Sequence, residues 1–251
     1  MPYALLLKSL DQTIDRETLE AAAAASKAIP LPDCARLQRE LYGILVDDLD
    51  QDHAAALQGE LFARNFPTEV VDQSQLPVLN DPAPAQGLDI GSDGVTAIDL
   101  YGNTTLYPWD HFVFAAAGYV LRLVDRPHVN RWEVEPEPFR SKYAPPKLVV
   151  DYKLESIPEF HLDLFFDVEP YRLRWVWDRD TILRVNQQPV RLKEHEKFVA
   201  LLLQLAQSAP AERLNQGIQK LTAGEYSTYP SVHAFEEEIV WSFYQLMRQD
   251  A

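Results

Sequence analysis

"FHLDLFFDVEPYRLRWVW", Phe160 to Trp177, decides how the second half of this chain is read. Apolar and polar residues alternate on both sides of Asp167 to Pro170, and alternation over about four to eight residues marks a half-buried strand. The Asp, Glu and Pro between the runs mark a turn. A β-hairpin is predicted. Placing Phe166 opposite Tyr171 sets Leu164 against Leu173 and Leu162 against Trp175 on one face, and Asp163 against Arg174 on the other. The first face is an aliphatic and aromatic core that takes in Trp175 and Trp177. On the second, His161, Asp163 and Asp167 form a polar patch that Arg172 and Arg174 can neutralise by cross-strand pairing.

Upstream the same period recurs. "KLVVDYKLE" from Lys147 is strand-like, and "GLDI", "VTAIDLYG" and "NTTLYPWDHFVFAAAGYVLRLV" alternate around the turn signals Asp93-Gly94 and Gly102-Asn103, so an antiparallel sheet is expected. Between them "DRPHVNRWEVEPEPFRSKYAPPK", Asp125 to Lys147, has no sustained period and contains five prolines. It reads as a long loop set on a rigid scaffold, the place where binding groups concentrate. Trp132, Phe139 and Tyr143 are its candidate partner-binding anchors, because aromatic side chains supply large contact areas at interfaces. The other reading folds the same rings back as a lid on the sheet.

Downstream the chain is helical: "EHEKFVALLLQLAQ", "AERLNQGIQKL", and a last segment from about Ser231 to Arg248 with Val232, Phe235, Ile239 and Leu246 on one stripe. The N-terminal part has another rhythm. Strand "YALLLKSL" from Tyr3 precedes helix formers "DRETLEAAAAASKAIP", then strand "ELYGILVD" (Glu40 to Asp47), a helix from about Gln51 to Asn65, and strand "TEVVDQ" from Thr68. This β-α-β-α-β order favours a small ferredoxin-like unit. "LPVLNDPAPAQG", Leu76 to Gly87, with three prolines, reads as the boundary. The expected domains are therefore 1–77 and 86–251.

With 38 acidic and 23 basic residues the formal charge is -15, which opposes approach to nucleic acid or an anionic membrane. No apolar run approaches the roughly 20 residues that span a bilayer. The N-terminus lacks a basic n-region and a cleavage site, and the single cysteine, Cys34, excludes an internal disulfide; a cytoplasmic location is expected. Glycine is scarce at 9 residues, and no Walker loop, dinucleotide fingerprint or nucleophile elbow is present.

Four stretches raise the question of chemistry. In "LVDDLDQDHAAALQGEL", Leu45 to Leu61, Asp48, Asp50 and Asp52 fit the first, third and fifth positions of a calcium loop. The turn position that needs glycine is His53, however, and the place of the bidentate glutamate is Gly59. Asp50 instead reads as an N-cap, Asp52 as a first-turn acid, and Ala54, Leu57 and Leu61 as the buried stripe. His233, Glu236 and Glu237 at i, i+3 and i+4 could present an imidazole and a carboxylate to one metal, but no third ligand is identifiable, and "FEEEIVW" is also what a helix N-terminal turn favours. Glu194, His195 and Glu196 point in different directions, and His195 reads as solvated. Cys34 reads as structural. No catalytic residue, metal ligand or cofactor is assigned.

A strand, the turn at Gly102, "TLYPWDHFVFAAAGY", further meandering strands and the helix from Glu194 together resemble bacterial pleckstrin-homology-like domains, over roughly Gln86 to Gln207. The resemblance implies an antiparallel barrel closed at one end by a helix, and a partner-binding habit. Members that bind phosphoinositides carry a basic cluster in the first hairpin, where "DIGSDGVTAIDLYGN" has three aspartates and no base. The expectation is an α+β protein, ferredoxin-like unit first and pleckstrin-homology-like sheet domain with C-terminal helices second, that acts without catalysis as a binding or regulatory module for a protein partner. The alternative is a metal-assisted hydrolase with a site between the domains, drawing on Asp48, Asp52 and His233.

Overall fold

The computed structural model describes residues 1–133, 147–177, 182–185, 188–189 and 194–249, by backbone alone at 126–133, 147–152, 182–183, 188–189 and 194. Its first unit starts with β1 (Tyr3–Leu7) and α1 (Arg16–Ser26), whose N-cap Asp15 accepts from Thr18 N. Pro30 and Pro32 do not simply end that helix. A 3-10 turn at Leu31–Asp33 leads into a short helix α2 (Cys34–Arg39), too short for a helical period to announce it. β2 (Ile44–Leu49) begins later than expected and runs through Asp47 and Asp48. α3 (Gln51–Phe62) and β3 (Thr68–Asp72) lie where the apolar spacing places them.

The sheet order is β2-β1-β3, with both neighbours antiparallel to β1. β2, α3 and β3 thus form a split β-α-β unit around the central strand. A bulge separates Tyr3↔Leu49 from Leu5↔Val46. Asp48 takes up the extra residue at φ 57°, a left-handed conformation that Asp tolerates better than most residues. One face of the sheet packs Leu5, Leu7 and Leu45 against Leu19, Ala22, Ala54, Leu57 and Leu61 of α1 and α3.

The second part begins with β4 (Ala83–Ala85), β5 (Gly87–Ile90), β6 (Gly94–Ile98) and β7 (Thr104–Pro108), and continues through β8 (Phe112–Glu133), β9 (Lys147–Phe166) and β10 (Arg172–Val176). β11 (Ile182–Val185), β12 (Gln188–Pro189), α4 (Glu194–Ser208), α5 (Gln216–Thr222), β13 (Thr228–Tyr229) and α6 (Val232–Gln249) complete it. The β9–β10 hairpin has the expected register: Leu164↔Leu173, Leu162↔Trp175 and Asp163↔Arg174.

Two five-stranded sheets result, ordered β13-β8-β9-β10-β4 and β12-β11-β5-β6-β7. The proline-rich boundary is partly strand. β4 and β5 pass from one sheet to the other across Gln86, pairing in parallel first with β10 and then with β11. Pro84 is tolerated in β4 because β4 is an edge strand. The facing sides share one core, built from Leu88, Ile90 and Val95 on one sheet and Phe160, Leu162 and Trp175 on the other. Phe198, Leu201, Leu202 and Leu205 of α4 pack into that core, with the Phe198 ring stacked 4.1 Å from that of Phe160. Among the described residues the sheets do not close into a barrel.

α6 lies between the two parts of the molecule. Phe235 and Ile239 bury against Phe114, Ala116, Val120 and Phe165 on the outer side of β8 and β9. Tyr244, Val240 and Trp241 pack on Ala4, Leu6, Ile44 and Val71, the face of the N-terminal sheet that α1 and α3 leave open. Both apolar surfaces are thereby removed from water by one helix. Val232, expected on the buried stripe, is 38% exposed at the first position of α6.

Candidate functional site

The segment read as a loop from Asp125 is not one up to Glu133. β8 and β9 remain paired from Phe112↔Phe166 out to Glu133↔Lys147. The prolines do not prevent this, because among the described residues Pro127 and Pro158 lie where the two strands have no third neighbour, and an edge accepts a residue without an N–H. On the body of the molecule β8 is flanked by β13 at Tyr119 and Val120, and β9 by β10 at His161 to Phe165. Beyond Leu121 and Pro158 the strands pair only with each other among the described residues. At about 3.3 Å per residue this two-stranded arm extends roughly 40 Å.

Its faces follow from the register. Leu121, Leu123 and Asp125 stand with Pro158, Ser156 and Leu154 on the side that, nearer the body, carries Ala115, Ala117, Phe160 and Leu162 into the core. The core-facing side therefore continues into solvent, where Leu123 and Leu154 are 69% and 64% exposed. At the root of this face Tyr119 donates to or accepts from His195 Nδ1 at 2.8 Å, and the His195 ring stacks at 5.1 Å on Tyr226, which is itself largely exposed. His195 is therefore not the solvated side chain expected from sequence. Arg122, on the opposite face, pairs with Glu159 at 2.9 Å.

Trp132 lies on the arm, its backbone opposite Leu148. Phe139 and Tyr143 lie outside the described residues.

The other stretches take structural roles. Asp50 Oδ1 accepts from His53 N at 2.8 Å and Oδ2 lies 2.6 Å from His53 Nδ1, while Asp52 sits in the first turn of α3 and Asp48 in the β2 bulge. Those backbone and side-chain hydrogen bonds hold the Asp50 carboxyl below its usual range. The three aspartates are thus divided among strand, cap and helix. Cys34 is buried with its thiol pushed up by desolvation and by Glu20 and Asp33, the reverse of what a nucleophile requires.

The three consecutive glutamates of α6 point to three different environments. Glu236 Oε1 accepts from Arg172 Nη2 at 2.7 Å and Arg174 Nη2 at 2.9 Å. Both guanidiniums also hold Asp163, which is fully buried, and Arg172 Nη1 reaches Asn80 O at 3.0 Å. The expected cross-strand pair is thus a network joining β9, β10, the inter-unit linker and α6. Asp167 is outside it, 2.8 Å from His111. His161 is buried beside it, and burial, then Arg174, disfavours its charged form. Glu237 lies 3.2 Å from His233; desolvation, then Asp47 and Glu40, raises its carboxyl to about 8. Glu238 is buried and accepts from Tyr229 OH at 2.6 Å and Gln216 N at 2.8 Å.

Asn215 completes that last set, donating to Tyr229 OH and bonding Ala117 through both its amide atoms. The close approach needs Gly217, where a Cβ would run into Ala117 O and Tyr229 OH. The sequence signal for this polar core is weak, because Tyr229 lies outside any periodic run and Asn215, within a stretch that reads as one helix, is instead the N-cap of α5. Glu236 is committed to guanidiniums, so His233, Glu236 and Glu237 do not converge. Among the described residues no three His, Cys, Asp or Glu side chains group as metal ligands, and no helix is long and apolar enough to cross a membrane. No family model, curated protein or solved structure matches the chain.

Proposed function

We propose that this chain is a cytoplasmic, non-enzymatic binding module that takes a protein partner along the β8–β9 arm. The observation that carries this reading is the continuation of the core-facing side of the sheet into solvent, with Leu123 and Leu154 exposed on it. A two-stranded ribbon is marginally stable by itself in water, and among the described residues this one has no strand paired to either outer edge, so a partner that covers it gains both apolar contact and ladder hydrogen bonds. Trp132, Phe139 and Tyr143 are its proposed outer anchors, and the exposed Tyr226 at the root is a fourth. The net charge favours a protein over nucleic acid or an anionic membrane.

In the finer architecture we read the first unit as ferredoxin-like and the second as pleckstrin-homology-like. The split β-α-β around β1 supports the former. Two sheets around one core, with α4 packed into it, support the latter.

A photo-crosslinking residue at position 123, compared with one at Tyr101 on the far turn between β6 and β7, identifies the partner. Purified partner is then titrated by calorimetry into wild type and into Leu123→Asp/Leu154→Asp. Binding at least tenfold weaker, with an unchanged melting temperature because both side chains are exposed, is expected. Equal crosslinking from position 101, or unchanged affinity in the double variant, overturns the reading.

A further inference from the structure

Between the two parts of the molecule, away from the arm, lies a cavity of about 250 Å³. It is lined by the β1–α1 loop with Gln12 and Thr13, by Gln38, Arg39 and Tyr42 at the end of α2 and after it, and by Gln216 and Lys220 of α5. In a chain with 38 acidic and 23 basic residues, this lining holds two bases and no acid.

Neither base forms an ion pair among the described residues, although Lys220 lies near enough to Glu238 to favour its charged form. Lys220 Nζ donates to the neutral Gln216 Oε1 at 2.9 Å, and Arg39 uses its Nε on Ala35 O at 3.1 Å, leaving the outer fork of the guanidinium for other acceptors. The adjacent acids are already engaged: Glu40 with Arg36, Asp11 with Gln216 Nε2, and Glu238 with Tyr229 and Gln216 N. Gln216 therefore stands at the wall of the cavity with both amide atoms in use, which fixes the position of Lys220.

We propose that this cavity binds a small oxyanion ligand, one carrying a carboxylate or phosphate group, between Arg39 and Lys220. A planar guanidinium fork and an ammonium in one lining suit such a group, the first by paired hydrogen bonds and the second as a point charge. Gln38 and Thr13 offer neutral hydrogen bonds to the rest of the ligand. Pockets at domain interfaces are where small-molecule sites concentrate, and this one draws its two charges from different units.

Inorganic phosphate and succinate, each titrated at constant ionic strength set with sodium chloride, are the probes, with the melting temperature and calorimetry as readouts. At least one is expected to bind saturably and stabilise the wild type. Arg39→Glu and Lys220→Met are each expected to weaken that binding at least tenfold. Arg39 is exposed, so its variant keeps the fold even where Lys220→Met does not. Preference for phosphate or for succinate names the source of the oxyanion. Absence of saturable binding by both, or equal binding by Arg39→Glu, overturns the proposal.

Discussion

Replacing Asp163 by Asn tests whether the ionic network under α6 holds the molecule together. The wild-type carboxylate has no exposed surface and accepts four charge-assisted hydrogen bonds, at 2.9 and 2.7 Å from Arg172 and at 2.7 and 2.8 Å from Arg174. The amide keeps the shape but loses the charge, and turns an NH2 donor toward guanidinium donors. Breaking a buried pair by removing one partner costs about 3–5 kcal/mol. Glu236 still serves both arginines, and the Arg174 side chain is 14% exposed, so the lower end, about 3 kcal/mol, is expected here. At about 2–4 °C per kcal/mol for a chain of this size, the melting temperature falls by about 6–12 °C. Thermal unfolding followed by circular dichroism reads this, and amide hydrogen exchange should quicken first in α6, which Glu236 ties to the network. A loss under about 1 kcal/mol, or exchange in α6 at the wild-type rate, refutes the argument.

Glu237→Gln should stabilise the protein at pH 8. The folded chain keeps a proton on Glu237 up to about 8, whereas the ordinary value is 4.5. Between these limits the folded state binds more protons than the unfolded one, so stability falls as pH rises, and the loss is complete above about 8. The whole interval corresponds to roughly 4–5 kcal/mol as an upper bound; the variant should remove most of this slope in unfolding measured between pH 5 and 8, and an unchanged slope counts against the burial. Asp50→Ala should lower the melting temperature by a few degrees through loss of the N-cap to His53 N, and calcium should move neither protein; a calcium-dependent rise confined to the wild type would restore the metal loop.

The features legible in the sequence were those set by neighbours. Alternation around Asp167 to Pro170 placed the Leu164↔Leu173 register because a shift of one residue exchanges buried and exposed faces. Capping chemistry placed Asp50 at the start of α3, since the competing loop lacked its turn glycine. Spacing over 3.6 residues likewise placed α4 and α6. The proline count misled at Asp125 to Glu133, because a proline breaks a strand only where its missing N–H would have met a neighbour, and whether a neighbour exists is not a local property.

Edges, partners and depth were decided by the tertiary structure. β4, β11 and β13 are strands of two to four residues that exist through parallel pairing with distant segments, so no local period announces them. Glu236, Glu237 and Glu238 are identical in sequence and adjacent, yet one meets two arginines, one meets His233 within the field of other acids, and one meets a tyrosine. Successive residues on a helix point about 100° apart, and what each meets depends on two sheets brought to α6 from opposite sides. The sequence by itself determined the long helices α1, α3, α4 and α6, the hairpin and the charge that disfavours phosphate-rich partners, because these depend on period and composition. Only the tertiary structure decided that the sheet runs out as an arm and that two bases line a cavity between the units, because both follow from which segments lack a neighbour after the chain has packed.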